Sequence, residues 1–273
     1  MAEDALRNVR LTVAYDGTDL HGFAPSQGVP TVMGTLNPEI ERIVRRPVDL
    51  VGAGRTDAGV HAWGQVVSGP IPLDTDLGRL THSLNRLCGP AISVRRAEWA
   101  DRGFSARFSA ASRTYRYSIW NLPAPNPLVA RFSWHVAAPL DVDTMNAAAT
   151  DLLGDNDFSS FCRRPKVPAG RSEPSLVRRL TTARWVAGME AGMQAGMQAR
   201  MQDGMLEFEI TASAFCHQMV RSIVGTLVDV GLGRRAASSV APTLAARDRQ
   251  AAGQVAPPTG LVLWSVDYTG ERW

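Results

Sequence analysis

The sequence predicts an α+β protein, with helices on one face of a largely antiparallel sheet. Three observations carry this. Short segments alternate apolar and polar residues with a period of two, as half-buried strands do. Between them run stretches whose apolar residues recur at helical spacing. Both patterns occur in each half of the chain, which favours mixed layers over separate all-α and all-β regions. At 273 residues the chain can build one large domain or two medium ones. A division near residue 110 gives halves 1–109 and 110–273.

The elements follow in order. Val9–Asp16 alternates as a strand and Asp16-Gly17-Thr18 turns the chain. Met33, Leu36, Ile40, Ile43 and Val44 form a helical stripe over 33–44. Thr31 or Thr35 can cap its start, and Pro38, tolerated in a first turn, favours Thr35. Pro47 ends that helix. A strand over Val48–Ala53 leads into the polar loop Gly54–Asp57. Gln65–Ile71 reads as a strand, Asp76–Leu87 as a helix and Ile92–Trp99 as a strand. In the second half, Thr114–Trp120 sets Tyr115, Tyr117 and Ile119 on one face. Val142–Leu153 is helical, and Leu176–Val186 and Met205–Ala212 form an antiparallel pair. Between that pair lies the tandem repeat AGMEAGMQAGMQARMQDGM, read as an extended hairpin tip. Phe215, Met219, Ile223, Leu227 and Val230 make one stripe of a long helix. A short helix over Val240–Arg247 and a strand over Leu261–Tyr268 complete the pattern.

Composition narrows the class of function. Apolar residues make up 45% and charged residues 20%, as in ordinary globular proteins. No run of about 18 apolar residues occurs and the first ten residues lack an apolar signal core. A cytoplasmic protein without a membrane span is expected. The net charge is +3, and of the 29 basic residues all but Lys166 are arginine. Arginine suits phosphate and base stacking, though the bias also fits an Ala- and Gly-rich composition. Cys88, Cys162 and Cys216 are far apart and are expected as buried free thiols. No His/Cys set has zinc spacing. Asp16-Gly17-Thr18-Asp19 lacks the acidic spacing of a calcium loop, so no metal is expected.

The segment with most chemical content is GAGRTDAGVHAW, Gly52–Trp63. Glycines on both sides of Arg55-Thr56-Asp57 allow close backbone approach to a ligand. An Asp in such a loop, just past a strand, is a candidate site; it also fits a turn Asp bonding its own backbone.

GRTDAGVHA resembles the signature of the tRNA pseudouridine synthase A family. AYDGTDLHG resembles that family's first strand and turn, and FSARFSAASRTYRY its tyrosine strand. LLGDNDFSSF, FCHQMVRSIVGTL and APPTGLVL match later blocks in the same order, so the likeness spans nearly the whole chain. The resemblance implies two ferredoxin-like halves forming one mixed, largely antiparallel sheet, with a central RNA-binding cleft. It implies a homodimer that converts uridine to pseudouridine in the anticodon stem-loop of tRNA, with no cofactor.

By the same resemblance Asp57 is the essential aspartate, adding to the base or taking a ribose proton. Arg221 is the basic residue paired with it, and Tyr115 packs against the target base. Arg55 takes the place of the extruded nucleotide, and Thr56 and His61 join the substrate-binding loop. Two positions depart from the family pattern: Phe23 stands where Trp is common, and Met33 where Gln is common. Both bear on how RNA docks. An RNA-binding module that lost its chemistry is the alternative, and the intact set Asp57, Tyr115 and Arg221 argues against it.

Overall fold

The computed structural model describes residues 5–164, 172, 174–188 and 204–269. The chain divides into two compact units, Met1–Ser112 with Val262–Arg272 and Arg113–Leu261. Both show the α+β class expected from the sequence.

The first unit contains β1 (Leu6–Tyr15), α1 (Val32–Val44), β2 (Val51–Gly52), β3 (His61–Pro72), α2 (Leu77–Cys88), β4 (Ile92–Trp99) and, from the far end of the chain, β10 (Leu261–Asp267). Its strand order is β4-β1-β3-β10, with β2 paired to β3. All pairs are antiparallel except β10 with β3. The alternation of β1 buries Val9, Leu11, Val13 and Tyr15. Helices α1 and α2 pack on each other and α2 on β4. Leu36, Ile40, Leu80 and Leu84 are fully buried on their inner stripes, each contributing roughly 1.5–3 kcal/mol.

Three boundaries differ from expectation. The cap of α1 is Thr31, whose hydroxyl accepts from the Gly34 N–H. Pro38 therefore lies inside the helix. The early start is fixed from outside: Val32 and Met33 are buried and donate to the Gly22 and Phe23 carbonyls, which offsets the bond Pro38 removes. The strand expected over 48–53 shrinks to Val51–Gly52, because the Val48 N–H is taken by the Glu41 carboxylate. Conversely, β3 starts four residues early. A shift in its pairing with β1, from Val13↔Gln65 to Tyr15↔Ala62, hides the alternation there.

The second unit contains β5 (Ser112–Trp120), β6 (Trp134–His135), α3 (Val142–Ala149), β7 (Gly154–Asp157), β8 (Val177–Ala187), β9 (Met205–Ala212), α4 (Met219–Gly231) and α5 (Val240–Ala246). The order is β5-β9-β8-β7, all antiparallel, with β6 parallel to β5. Tyr115, Tyr117 and Ile119 stand opposite Ile210, Phe208 and Leu206 on the buried face. Trp185 stacks on Phe208 with ring centroids 4.9 Å apart. Helix α3 packs on α4.

The expected helix start at Phe215 is corrected to Met219. Gln218 caps it in the left-handed region (φ 65°). Local ties override the helical stripe: Cys216 and Cys162 are joined as a disulfide with Cα atoms 5.8 Å apart, and the Arg163 N–H donates to the His217 carbonyl. This also corrects the expectation of three free thiols. Only Cys88 is free, and it is buried. The two bonded cysteines are 54 residues apart in sequence, so only the fold of this unit reveals their pairing. Most of the Met-Gln repeat, 189–203, lies outside the described residues. Among the described residues no helix is long and apolar enough to cross a membrane.

Candidate active site

The loop between β2 and β3 carries Arg55, Thr56 and Asp57, and main-chain bonds tie it down along its length. The Ala53 N–H donates to Val66 O at 2.8 Å, Phe23 to Thr56 O at 3.1 Å, Gly59 to Leu20 O at 3.2 Å and Val60 to Asp57 O at 3.2 Å. The Gln65 amide adds a 2.8 Å bond to Gly54 O. Beneath the loop the Thr56 and Tyr15 hydroxyls lie 2.8 Å apart. Burial pushes the Tyr15 hydroxyl up to about 12, against smaller lowering by its bonds to Thr56 and Gln65. It therefore stays protonated, accepting from the Gln65 amide and sharing a hydrogen bond with the Thr56 hydroxyl. Asp57 is half-buried and Arg55 exposed. The backbone that carries the Asp57 carboxylate is thus restrained on both sides.

The turn after β1 supports the loop from the other side. Gly17 is required here, since a Cβ would overlap the Val60 carbonyl. Its N–H donates to His61 Nδ1 at 3.0 Å, and that nitrogen lies 3.2 Å from the Asp16 carboxylate. Asp16 also accepts from the Thr18 N–H and hydroxyl, which gives the Asp-Gly-Thr-Asp run its role as a turn. His61 is 2% exposed and Thr56 7%. The Thr56 hydroxyl meets Tyr15 and His61 Nδ1 accepts from Gly17, so both side chains brace the loop that carries Asp57. A Tyr15→Phe variant is expected to unfold about 1–3 kcal/mol more easily in urea, because Thr56 and Gln65 each lose a buried partner.

In the second unit Tyr115 is 7% exposed and meets Phe215 edge to face at 5.0 Å. Arg221, in the first turn of α4, donates from Nε to the Ala256 carbonyl at 2.7 Å. Its own carbonyl accepts from the Ala256 N–H at 3.0 Å. Tyr117 donates its hydroxyl to Pro257 O at 2.8 Å. Burial drives that hydroxyl far above its ordinary range, with the Arg221 charge opposing. Segment 256–257 thus orients Arg221 and Tyr117 together. Sequence reading missed Phe215 as the partner of Tyr115, because the residue fits the helical stripe equally well.

The family model of tRNA pseudouridine synthases matches residues 148–269, which includes β8, β9, α4 and β10. The class is therefore that of the pseudouridine synthases, a class of isomerases. Over nearly its whole length the chain is 36% identical to the tRNA pseudouridine synthase A of Acetivibrio thermocellus, across 96% of this chain and 100% of that protein. Identity is 36% with the enzyme of Bacillus subtilis (95% and 98% covered) and 39% with that of Frankia casuarinae (97% and 90%). The chain belongs to the tRNA pseudouridine synthase A family.

Proposed function

We propose that this chain isomerises uridine to pseudouridine in the anticodon stem-loop of transfer RNA, working as a cytoplasmic homodimer with Asp57 as its catalytic carboxylate. The observation that carries the reading is the Asp57 loop, pinned by main-chain bonds on both sides of a half-buried carboxylate. Family membership supports it.

The chemistry balances within the substrate. The bond from ribose C1′ to N1 breaks and one from C1′ to C5 forms. C5 gives up its hydrogen as a proton and N1 gains one. Neither a redox partner nor a group donor enters. Asp57 starts this by adding to the base or by removing a ribose proton; each route needs an ionised carboxylate within reach. Tyr115 is assigned to packing against the uracil ring, and Arg221 to the positive charge that pairs with the carboxylate. Exposed Arg55 takes the place of the extruded nucleotide, which offsets part of the unstacking cost. Thr56 and His61 are assigned to substrate binding with the loop that their side chains also brace.

The test is tritium release from transfer RNA labelled at uridine C5. Release by the parent and not by Asp57→Asn supports the reading. A folded, RNA-binding parent that releases none supports a binding module instead. Affinity for transfer RNA should also fall steeply as salt rises from about 50 to 200 mM, because phosphate contacts release counterions. A flat salt series would exclude the nucleic-acid reading.

A further inference from the structure

Two irregularities flank β1 in the first unit. On the β3 side, the pairing shift described above places Trp63 between Gln65 and Ala62, 45% exposed. On the β4 side, pairing jumps from Thr12↔Arg96 to Val13↔Val94, so Arg95 is the extra residue. Bulges re-aim side chains, and these two bring Arg95 onto Trp63. The guanidinium carbon lies 3.6 Å from the Trp63 ring centroid, and Nη1 donates to the Trp63 carbonyl at 3.0 Å. Strand β10 brings Trp264 alongside, its ring 6.3 Å from that of Trp63 and tilted by 25°. A Cβ at Gly64 would overlap the Trp264 carbonyl, so this approach depends on glycine.

The charges around the stack are uneven. Glu98 pairs with both Arg10 (3.5 Å) and Arg96 (2.7 Å). Arg95, next to Arg96 in sequence and exposed, has no carboxylate within ion-pair distance among the described residues. The surface thus presents a flat, uncompensated cation fixed over an exposed indole. Its geometry matches a nucleotide: a base can stack as the next layer on the guanidinium plane, and the adjoining phosphate supplies the missing charge.

We propose that the Trp63–Arg95 layer is a stacking platform for an unstacked nucleotide of bound RNA, outside the target uridine itself. This rests on the RNA reading above. Because the guanidinium is already held flat, little side-chain freedom is lost on binding. One stacked base plus one phosphate contact is worth about tenfold or more in affinity.

The experiment measures binding of an unmodified transfer RNA transcript to the full chain across a salt series, with kcat/KM for tritium release in parallel. The variants are Trp63→Ala, Arg95→Gln, Arg95→Lys and, as a control, Arg96→Gln. Trp63→Ala and Arg95→Gln should each weaken binding about tenfold and lower kcat/KM, while melting near the parent temperature. Arg95→Gln should also reduce the salt slope by about one, which Trp63→Ala should not. Arg95→Lys keeps the charge and should still bind weakly, and Arg96→Gln should match the parent. Folded variants that bind as tightly as the parent would overturn the platform. So would a lowered melting temperature with unchanged affinity, which would make the stack a packing feature only. A Trp63→Ala variant that changes oligomeric state at unchanged RNA affinity would assign the surface to a second copy instead. A parent that binds no RNA sinks the functional reading itself; a parent that binds and turns over beside indifferent variants sinks only the platform.

Discussion

An Asp57→Asn variant is expected to lose about a thousandfold or more in turnover while melting close to the parent and binding transfer RNA almost as tightly. Asparagine keeps the shape of the side chain and cannot carry the negative charge. The main-chain bonds that fix the loop, Phe23 to Thr56 O and Val60 to Asp57 O, do not need the carboxylate. Chemistry and folding should therefore separate. Single-turnover tritium release, a thermal melt and an RNA titration on the same preparation check this. If RNA affinity falls in step with turnover, the carboxylate holds the binding surface together and its assignment to catalysis fails.

A Gly225→Ala substitution is expected to destabilise the protein by about 2 kcal/mol despite improving helix propensity. In a free helix, Ala would gain about 0.5–1 kcal/mol over Gly. Here Gly225 lies inside α4 with no room for a Cβ, which would overlap the Gln254 carbonyl and meet the Ala256 nitrogen at 3.4 Å. Overpacking against backbone costs about 1–3 kcal/mol and sometimes more, because main chain cannot swing aside as a side chain can. The overlap decides the sign. The effect should reach activity as well. Arg221 lies one turn earlier on the same helix, and both its carbonyl and its Nε bond to Ala256. Displacing segment 254–256 loosens that anchoring. Urea denaturation and kcat/KM measured together test it; a variant more stable than the parent would mean that the segment yields freely.

What sequence makes legible here depends on whether a signal is local. The alternation in β1 and β5 and the stripe of α1 are carried by neighbouring residues, and their elements appear where expected. The Asp57 loop is legible for the same reason, since its glycines flank it directly. Signals that depend on distant segments were hidden. Thr31 beats Thr35 as a cap because Gly22 and Phe23 receive the first N–H groups of α1. Phe215 fits a helical stripe, yet the tie of Cys216 to Cys162 holds its segment out of the helix. Tyr15 reads as an ordinary strand aromatic, and only its register places its hydroxyl under Thr56. His61 stands in the most informative motif of the chain, but its partner Gly17 is 44 residues away. Motif position alone does not tell which distant group a side chain bonds.

The membership of β10 in the first unit has a consequence for how the chain is made. Residues 113–260 of the second unit leave the ribosome before β10 does, since β10 follows them in sequence. Until then β3, paired with β1 on one side, lacks its parallel partner at His61 and Ala62 on the other, and Phe104 lacks its partner Tyr268 at 4.9 Å. The segment bearing Asp57 therefore waits with an open strand edge while the later segment folds. An unfilled edge invites pairing with other chains. The nascent chain is thus most exposed to misassembly in the interval between the synthesis of β4 and that of β10, and a chaperone that shields strand edges would act there.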